Sequence, residues 1–245
     1  MKAVILCGGK GTRLRPYTLN LPKPMLLLGS KPVLEYTVEH LASEGITDLV
    51  FTVGHLREKI EEHFGDGSGH GVKIKYSVES GELGTAGSVA NARSLVKDED
   101  FLVLMGDQLT SLNYKKIMDF HLKHASKSGA IATVALKRLT QPLQVGIAHM
   151  DRETMKVTRF EEKPVLENLG NAAVYAFNKK IWSCLPAKGD FAFDVLPKLT
   201  HEGKLLGFVF DDYWIDMGYV HEYEEINEAI SLMDLILHAK KHGQK

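Results

Sequence analysis

Short apolar runs alternate with amphipathic stretches along the first half of the chain. The apolar runs predict strands at residues 3–6, 48–53 and 101–105, and the alternation of charged and apolar residues predicts another strand at residues 73–78. Apolar residues that recur every three or four positions predict helices at residues 32–42, 57–64 and 85–96. This β-α-β-α order is typical of a Rossmann-like α/β fold, with a mixed, mostly parallel sheet and helices on both faces.

The pattern changes after about residue 130. Four strand-like runs follow with little helical pattern between them, at residues 130–136, 146–150, 156–160 and 172–177. They predict an antiparallel or mixed sub-region that packs on the first sheet, and a late strand is predicted at residues 205–210. Hexapeptide repeats that would build a β-helix domain are absent from the sequence. We therefore expect a single domain over residues 1–245, with lobes at about 1–130 and 131–218.

The last part of the chain predicts one more helix, over residues 219–241. Its apolar positions form a stripe at helical spacing: Val220, Tyr223, Ile226, Ile230, Met233 and Leu237. Packing against the core is the favoured interpretation of this stripe, and a partner-binding face is the alternative.

Composition limits the classes of function. The chain has 245 residues, 44% of them hydrophobic, and a formal net charge of −1, so no basic excess suggests a nucleic-acid or membrane surface. The two cysteines, Cys7 and Cys184, are too far apart in sequence to form a disulfide framework. The first residues show no long apolar signal segment, and no stretch approaches the ~18 apolar residues of a membrane span. A cytoplasmic protein is expected.

A glycine loop follows the first predicted strand. Gly8, Gly9 and Gly11 fall within four positions, and glycines allow successive backbone N–H groups to converge on phosphate oxygens. Arg13 adds a forked cation, and Lys23 lies between two prolines that stiffen the backbone. The loop lacks both the Walker A ending and the third glycine of the dinucleotide-binding motif.

Two aspartates end apolar runs. Asp107 follows Gly106, and Asp216 lies in the segment Trp214-Ile215-Asp216-Met217-Gly218. Ligands of open α/β sheets collect at the carboxyl ends of strands, so the two side chains can face one crevice. Carboxylates without histidine or thiolate suit Mg²⁺ better than Zn²⁺. The neighbouring pair Asp211 and Asp212 is interpreted as turn or surface residues.

The run GGKGTRLRPYTLNLPKPMLLLGSKPVLEY at residues 8–36 resembles the N-terminal signature of the sugar-1-phosphate nucleotidylyltransferase family. The resemblance continues, in the family's order, through LGTAGSVANA (83–92), GDQLT (106–110), FEEKP (160–164), NAAVYAF (171–177) and YWIDMGYVHEY (213–223). It implies an enzyme that joins a nucleoside triphosphate to a sugar 1-phosphate and releases pyrophosphate. Its partners are these two substrates and its cofactor is Mg²⁺; a homo-oligomer is possible.

The resemblance also implies roles for individual residues. Arg13, Lys23 and Asp107 are the expected catalytic residues, and Asp107 and Asp216 are the expected metal ligands. The nucleotide is expected at Gly8, Gly9, Gly11, Thr12, Glu79, Gly84 and Thr85. The sugar phosphate is expected at Gly146, Glu162, Lys163 and Asn171, where Ala173 replaces a glycine of the family pattern.

The sequence leaves alternatives for the nucleotide base and for the sugar of the two substrates. The segment Leu83-Gly84-Thr85-Ala86-Gly87 resembles the guanylyltransferase form of the family, and a carboxylate at Glu79 would accept from two guanine donors. GTP with mannose 1-phosphate is therefore favoured, and UTP or dTTP with glucose 1-phosphate is the alternative. A non-catalytic sugar-nucleotide sensor is a third hypothesis, which the presence of Arg13, Lys23 and both aspartates disfavours.

Overall fold

The computed structural model describes residues 1–230 of the chain. Its strands are β1 (Lys2–Leu6), β2 (Leu27–Leu28), β3 (Lys31–Pro32), β4 (Asp48–Val53), β5 (Lys73–Val78), β6 (Asp100–Met105), β7 (Gln108–Thr110), β8 (Ala132–Pro142), β9 (Ile147–Met150), β10 (Val157–Glu161), β11 (Val165–Asn178), β12 (Leu205–Phe210) and β13 (Trp214–Asp216). Its α-helices are α1 (Val33–Ser43), α2 (Arg57–Phe64), α3 (Gly84–Asn91), α4 (Tyr114–Ser128), α5 (Leu196–His201) and α6 (residues 220–230).

Seven of these strands form the main sheet, in the order β12-β8-β11-β6-β1-β4-β5. The pairs β1–β4, β1–β6, β4–β5 and β12–β8 are parallel, whereas β11 runs antiparallel to both β6 and β8. The predicted mixed, mostly parallel α/β sheet is therefore confirmed. Both predicted lobes contribute strands to it, because β8, β11 and β12 continue the sheet that β1, β4, β5 and β6 begin.

Helices cover both faces of the sheet, as expected. Side chains of β1 alternate between two hydrophobic clusters, because successive residues of a strand point to opposite faces. Ala3 and Ile5 pack in the cluster that contains apolar residues of α1, α2 and α4. Val4 and Leu6 pack in the cluster that contains apolar residues of α3 and α5. All five residues of β1 are buried, so the loop that follows it starts from a fixed position.

Several elements differ from the prediction. No helix is predicted for Tyr114–Ser128, yet α4 is the longest α-helix within residues 1–230. The side chain of Asn113 caps its start by accepting from Lys116 N, and Gly129 ends it at φ +75°. Strand β11 is also much longer than the predicted run at residues 172–177, because its first half pairs with the extended end of β8.

The first half of β11 and the end of β8 belong to an arm that projects from the sheet together with the hairpin β9–β10. None of residues 136–171 is buried. The arm carries the second group of predicted site residues.

Helix α6 packs against the body of the protein. Tyr223 is buried in a third cluster with Leu14, Leu26 and Met217, and Val220 and Ile226 pack against it. This contact favours the core-packing interpretation of the apolar stripe for its described part. Met233 and Leu237 lie outside the described residues. Among residues 1–230, no helix combines the length and apolar character needed to cross a membrane.

Candidate functional site

A cavity of about 540 Å³ opens at the carboxyl end of β1. The glycine loop forms its floor, since residues 7–14 all line it. Gly11 lies at φ +59°, and a Cβ there would come within 2.9 Å of Thr18 Cγ2. The hydroxyl of Thr18 donates to Gly11 O at 2.8 Å. Only glycine therefore fits this turn without strain, and the turn keeps the loop close to the cavity.

Lys23 lies between the two predicted metal-binding carboxylates. Its ammonium is 2.5 Å from Asp107 Oδ2 and 3.6 Å from Asp216 Oδ1. Asp107 follows β6, which runs beside β1, whereas Asp216 ends β13, which is outside the main sheet. The short antiparallel pair β7–β13 brings the aspartates together, because Asp216 pairs with Gln108, the residue after Asp107. The sequence predicts that the two aspartates face one crevice. They come together through the β7–β13 pair rather than at the ends of two strands of the main sheet.

The carboxylate pair fits a divalent cation bound by oxygen atoms. Asp107 Oδ1 is buried and has no hydrogen-bond partner within residues 1–230. Burial raises the pKa of Asp216 above its ordinary value; Lys23 opposes this shift and the charge of Asp107 adds to it. The described residues contain no group of three or more His, Cys, Asp or Glu side chains suited to a metal. Two carboxylates leave positions for substrate oxygens, which is how Mg²⁺ is often held.

Glu79 stands behind the glycine loop. Its backbone N donates to Val53 O at 2.8 Å, which extends the pairing of β5 with β4. A Cβ on Gly8 would come within 2.8 Å of Glu79 Oε1, so a larger residue there would displace the carboxylate from this position. Glu79 lines the cavity, and its buried Oε1 has no partner among the described residues. Burial raises the pKa of the Cys7 thiol, and the negative charges of Asp107 and Glu79 raise it further. These shifts favour the neutral thiol and therefore an inert Cys7.

The opposite wall joins the start of α3 to residues 188–190. Gly84 has φ +72°, and a Cβ there would lie 2.5 Å from Gly189 O. Asp190 Oδ1 accepts from Thr85 N at 2.9 Å and from Thr85 Oγ1 at 3.2 Å. Gly84 and Thr85 thus line the cavity, as the sequence suggests, but the Thr85 amide and hydroxyl are already used to hold the wall.

The predicted sugar-phosphate residues are not among those that line this cavity: Gly146, Glu162 and Lys163 lie on the arm, and Asn171 lies in the middle of β11, where the arm ends. A Cβ on Gly146 would come within 2.8 Å of Glu162 Oε2, so these two residues are in contact. Asn171 Nδ2 donates to Tyr175 Oη at 3.0 Å, and Asn171 Oδ1 accepts from Ala173 N at 2.8 Å. Lys163 is exposed, with φ +44°.

Ala173 has a left-handed backbone at φ +52°. It lies in the irregular segment between Asn171 and Tyr175, where the pairing of β11 with β8 shifts register. This is the position at which the family pattern has glycine. Alanine therefore keeps the backbone shape that glycine favours, at a cost of about 1 kcal/mol.

Sequence reasoning missed several residues of the cavity. Lys188 lines it and adds a cation, and the carboxylate of Asp190 accepts from the Thr85 amide. Lys10 and Glu82 form an ion pair of 2.8 Å, and both line the cavity. Lys188, Gly189 and Asp190 are consecutive in the sequence. This Lys-Gly-Asp segment indicates a turn, but it belongs to no motif that would have marked it as part of the site.

A glycine loop after β1, with a lysine and two carboxylates beside it, is the arrangement typical of nucleotide-binding α/β proteins. The chain belongs to the nucleotidyl transferase family, whose model matches residues 2–232. It is thus an enzyme of this family, and the resemblance found in the sequence is confirmed.

Curated relatives are mannose-1-phosphate guanylyltransferases. The protein from Candida albicans is 34% identical over 258 residues, covering 100% of this chain and 67% of its own length. The protein from Schizosaccharomyces pombe is 36% identical, covering 91% of this chain and 62% of its own length. The chain therefore spans about two thirds of these relatives or less.

Solved structures share the fold. HddC from Yersinia pseudotuberculosis is 28% identical with a TM-score of 0.73, covering 93% of this chain and 98% of its own; one structure contains GMP-PN. A Bacillus anthracis protein with 23% identity and the same TM-score covers 94% of this chain and 95% of its own, and shows the fold alone.

Proposed function

We propose that the chain transfers a nucleoside monophosphate from a nucleoside triphosphate to a sugar 1-phosphate, with release of pyrophosphate. The observation that carries the proposal is the Lys23 ammonium between Asp107 and Asp216, beside the glycine-loop cavity. In this part of the cavity, cations and carboxylates lie beside the loop amides that would bind phosphates.

In this proposal the sugar-phosphate oxygen attacks the α-phosphorus in line, and pyrophosphate leaves from the opposite side. Such a reaction requires positioning and charge neutralisation rather than a covalent nucleophile. The loop amides of Gly8, Gly9, Gly11 and Thr12, together with Arg13, bind the β- and γ-phosphates. Lys23 neutralises charge on the α-phosphate. For this, its ammonium leaves its carboxylate partner and pairs with a phosphate oxygen. Lys163 binds the incoming phosphate, and Gly146, Glu162 and Asn171 bind the sugar.

Asp107 and Asp216 would hold Mg²⁺. The free, buried Oδ1 of Asp107 supports this assignment, because an unpartnered carboxylate oxygen is costly unless a cation or donor satisfies it. The ion would supply positive charge to the phosphate oxygens during transfer.

We favour GTP as the nucleotide because of Glu79. Its unpartnered carboxylate lines the cavity, and guanine offers both N1–H and N2–H₂ on one edge, whereas uracil and thymine offer a single donor. The mannose-1-phosphate guanylyltransferase names of the relatives and the GMP-PN in HddC support the same choice. Mannose 1-phosphate is the favoured sugar on the basis of those names.

A substrate panel tests this function. Pyrophosphate release is measured with Mg²⁺ for five nucleoside triphosphates, each combined with mannose, glucose or galactose 1-phosphate. The proposal expects the highest kcat/KM for GTP with mannose 1-phosphate. A clear preference for UTP or dTTP would refute the role of Glu79, and sugar-nucleotide binding without turnover in any combination would favour a sensor.

A further inference from the structure

We propose that Tyr219 is a positioning residue that holds the Arg13 guanidinium toward the triphosphate. This inference rests on the proposed function, in which Arg13 binds the β- and γ-phosphates. The guanidinium carbon lies 5.3 Å from the centre of the Tyr219 ring, a distance at which a cation and an aromatic ring attract each other. Gly218, the residue before Tyr219, also lies beside the guanidinium, since a Cβ there would be 3.8 Å from Arg13 Nη1, an ordinary contact distance.

The contact keeps the donors of Arg13 available. Within residues 1–230 no hydrogen bond or ion pair engages the Arg13 side chain, although the charge of Arg13 lowers the pKa of Asp216 from a distance. A guanidinium carries five N–H donors in its own plane, and an aromatic ring contacts its face. Tyr219 can therefore fix the orientation of the cation, whereas a carboxylate partner would occupy the donors that a phosphate needs.

Tyr219 is itself held by the start of α6. Its backbone N donates to Glu222 Oε2 at 2.9 Å, a capping contact that orders the first turn of a helix. Helix α6 is in turn fixed to the segment that follows the glycine loop. Tyr17 Oη donates to Glu224 Oε1 at 2.6 Å, and Tyr223 Oη donates to Leu27 O at 2.8 Å. The ring thus lies at the start of a helix that is fixed at two points to the segment that follows Arg13.

The position of Tyr219 in the sequence links two parts of the site. It follows Asp216 by three residues, so one short segment carries a proposed metal ligand and the aromatic support of Arg13. Loss of the ring is therefore expected to weaken binding of the triphosphate and to leave the sugar phosphate unaffected.

Calorimetric titration with tripolyphosphate tests the inference independently of base and turnover. Tyr219→Leu, which removes the ring and keeps apolar bulk, is expected to lower the affinity about 3- to 10-fold, the range of a partly exposed cation–π contact. Tyr219→Phe, which keeps the ring, is expected to restore the affinity of the unmodified chain. Tyr213→Leu is the matched control, because Tyr213 is also an exposed tyrosine, next to the start of β13, whereas the Arg13 guanidinium faces the ring of Tyr219.

A double-mutant cycle separates positioning from simple destabilisation. In an Arg13→Ala background the substitution Tyr219→Leu is expected to cause no further loss of tripolyphosphate affinity. In turnover assays Tyr219→Leu is expected to raise the KM of the nucleotide about 3- to 10-fold and to leave the KM of the sugar phosphate unchanged.

Equal losses from Tyr219→Leu with and without Arg13, failure of Tyr219→Phe to restore binding, or no tripolyphosphate binding by the unmodified chain would overturn the inference. If the proposed function fails instead, tripolyphosphate still binds and the double-mutant cycle still shows coupling between Tyr219 and Arg13, but no nucleotidyl transfer is observed.

Discussion

At the scale of single residues, the site depends on acidic groups whose oxygen atoms lack partners. Asp107 Oδ1 and Glu79 Oε1 are both buried and unpaired within the described part of the chain. A buried, unpartnered acceptor costs about 1–3 kcal/mol, so a protein retains it where a ligand satisfies it. Both oxygens belong to side chains that line the same cavity, which is why we assign them to the metal and the base.

The base assignment gives a prediction for Glu79. Glu79→Gln replaces one acceptor oxygen with a donor and is expected to lower kcat/KM for GTP about 10- to 100-fold, as the loss of about 1–3 kcal/mol of hydrogen bonding would. The kcat/KM for UTP should change much less. Steady-state assays with both nucleotides check this.

Glu82→Gln is the control for Glu79. Glu82 also lines the cavity, but its carboxylate is exposed and bound to Lys10. The Glu82→Gln variant should therefore retain the nucleotide preference of the unmodified chain. Equal effects of Glu79→Gln on GTP and UTP would contradict a base-reading role.

Motifs identified the charged residues of the cavity, but not all of their partners. Lys23, Asp107 and Asp216 stand in recognisable segments, and the structure brings them together. Lys188 and Asp190 were missed because their proximity to α3 is a tertiary contact across about one hundred residues. The sequence likewise does not reveal that the amide and hydroxyl of Thr85 are taken by Asp190.

At the scale of elements, the start of α3 depends on a close backbone approach. The Gly189 carbonyl accepts from Ala86 N at 2.9 Å, and the left-handed Gly84 makes this approach possible. Gly84→Ala combines an unfavourable φ with a backbone clash and is expected to destabilise the protein by about 2 kcal/mol or more. Urea denaturation followed by circular dichroism measures this change.

Gly81 provides a matched control in the same loop. A Cβ at Gly81 meets nothing within 4 Å, and its φ is outside the left-handed region. Gly81→Ala is therefore expected to change the free energy of unfolding by less than about 1 kcal/mol, or to raise it slightly. Equal free energies of unfolding for the two variants would show that the close approach of Gly84 to Gly189 does not stabilise the protein.

Elements with a clear hydrophobic period were predictable, and short ones were not. The bounds of β4, β5, α2 and β12 agree with the predicted runs, since each has a continuous or regularly spaced apolar pattern. Strands β7 and β13 have three residues each, too few to show a period, although they bring the aspartates together. The buried face of α4 does have helical spacing, at Tyr114, Ile117, Met118 and His121, so this helix was open to prediction.

At the scale of the whole molecule, a buried histidine connects α4 to the sheet. His121 is fully buried; its Nδ1 is 2.8 Å from Thr133 Oγ1 and its Nε2 is 3.5 Å from Asp100 Oδ1. The same oxygen of Asp100 accepts a hydrogen bond from Asn178 Nδ2 at 2.9 Å, whereas His121 Nε2 forms no hydrogen bond within residues 1–230. Burial lowers the pKa of His121, and Asp100 opposes the shift without reversing it.

This histidine predicts loss of stability in acid. The unfolded chain binds a proton at His121 below about pH 6.5, while the folded chain resists it, so stability falls as the pH drops through that value. Between pH 7.5 and 5.5 the unmodified chain should lose up to about 1.4 kcal/mol more than His121→Gln, which cannot titrate. Urea denaturation at both pH values measures the difference, and equal pH dependence of the two chains would show that His121 has the same pKa in the folded and the unfolded state.

The central claim is that Lys23 and the paired aspartates act in one nucleotidyl-transfer site. The most direct measurement is kcat/KM for Lys23→Ala and Asp107→Ala with the best substrates of the panel, beside Asp211→Ala. Asp211 is an exposed carboxylate whose Oδ1 is 3.2 Å from Arg138 Nε, outside the cavity. We expect at least a ~100-fold decrease for Lys23→Ala and for Asp107→Ala, as for loss of a main electrostatic stabiliser, and values close to the unmodified enzyme for Asp211→Ala. Near-normal kinetics in both Lys23→Ala and Asp107→Ala would contradict the account.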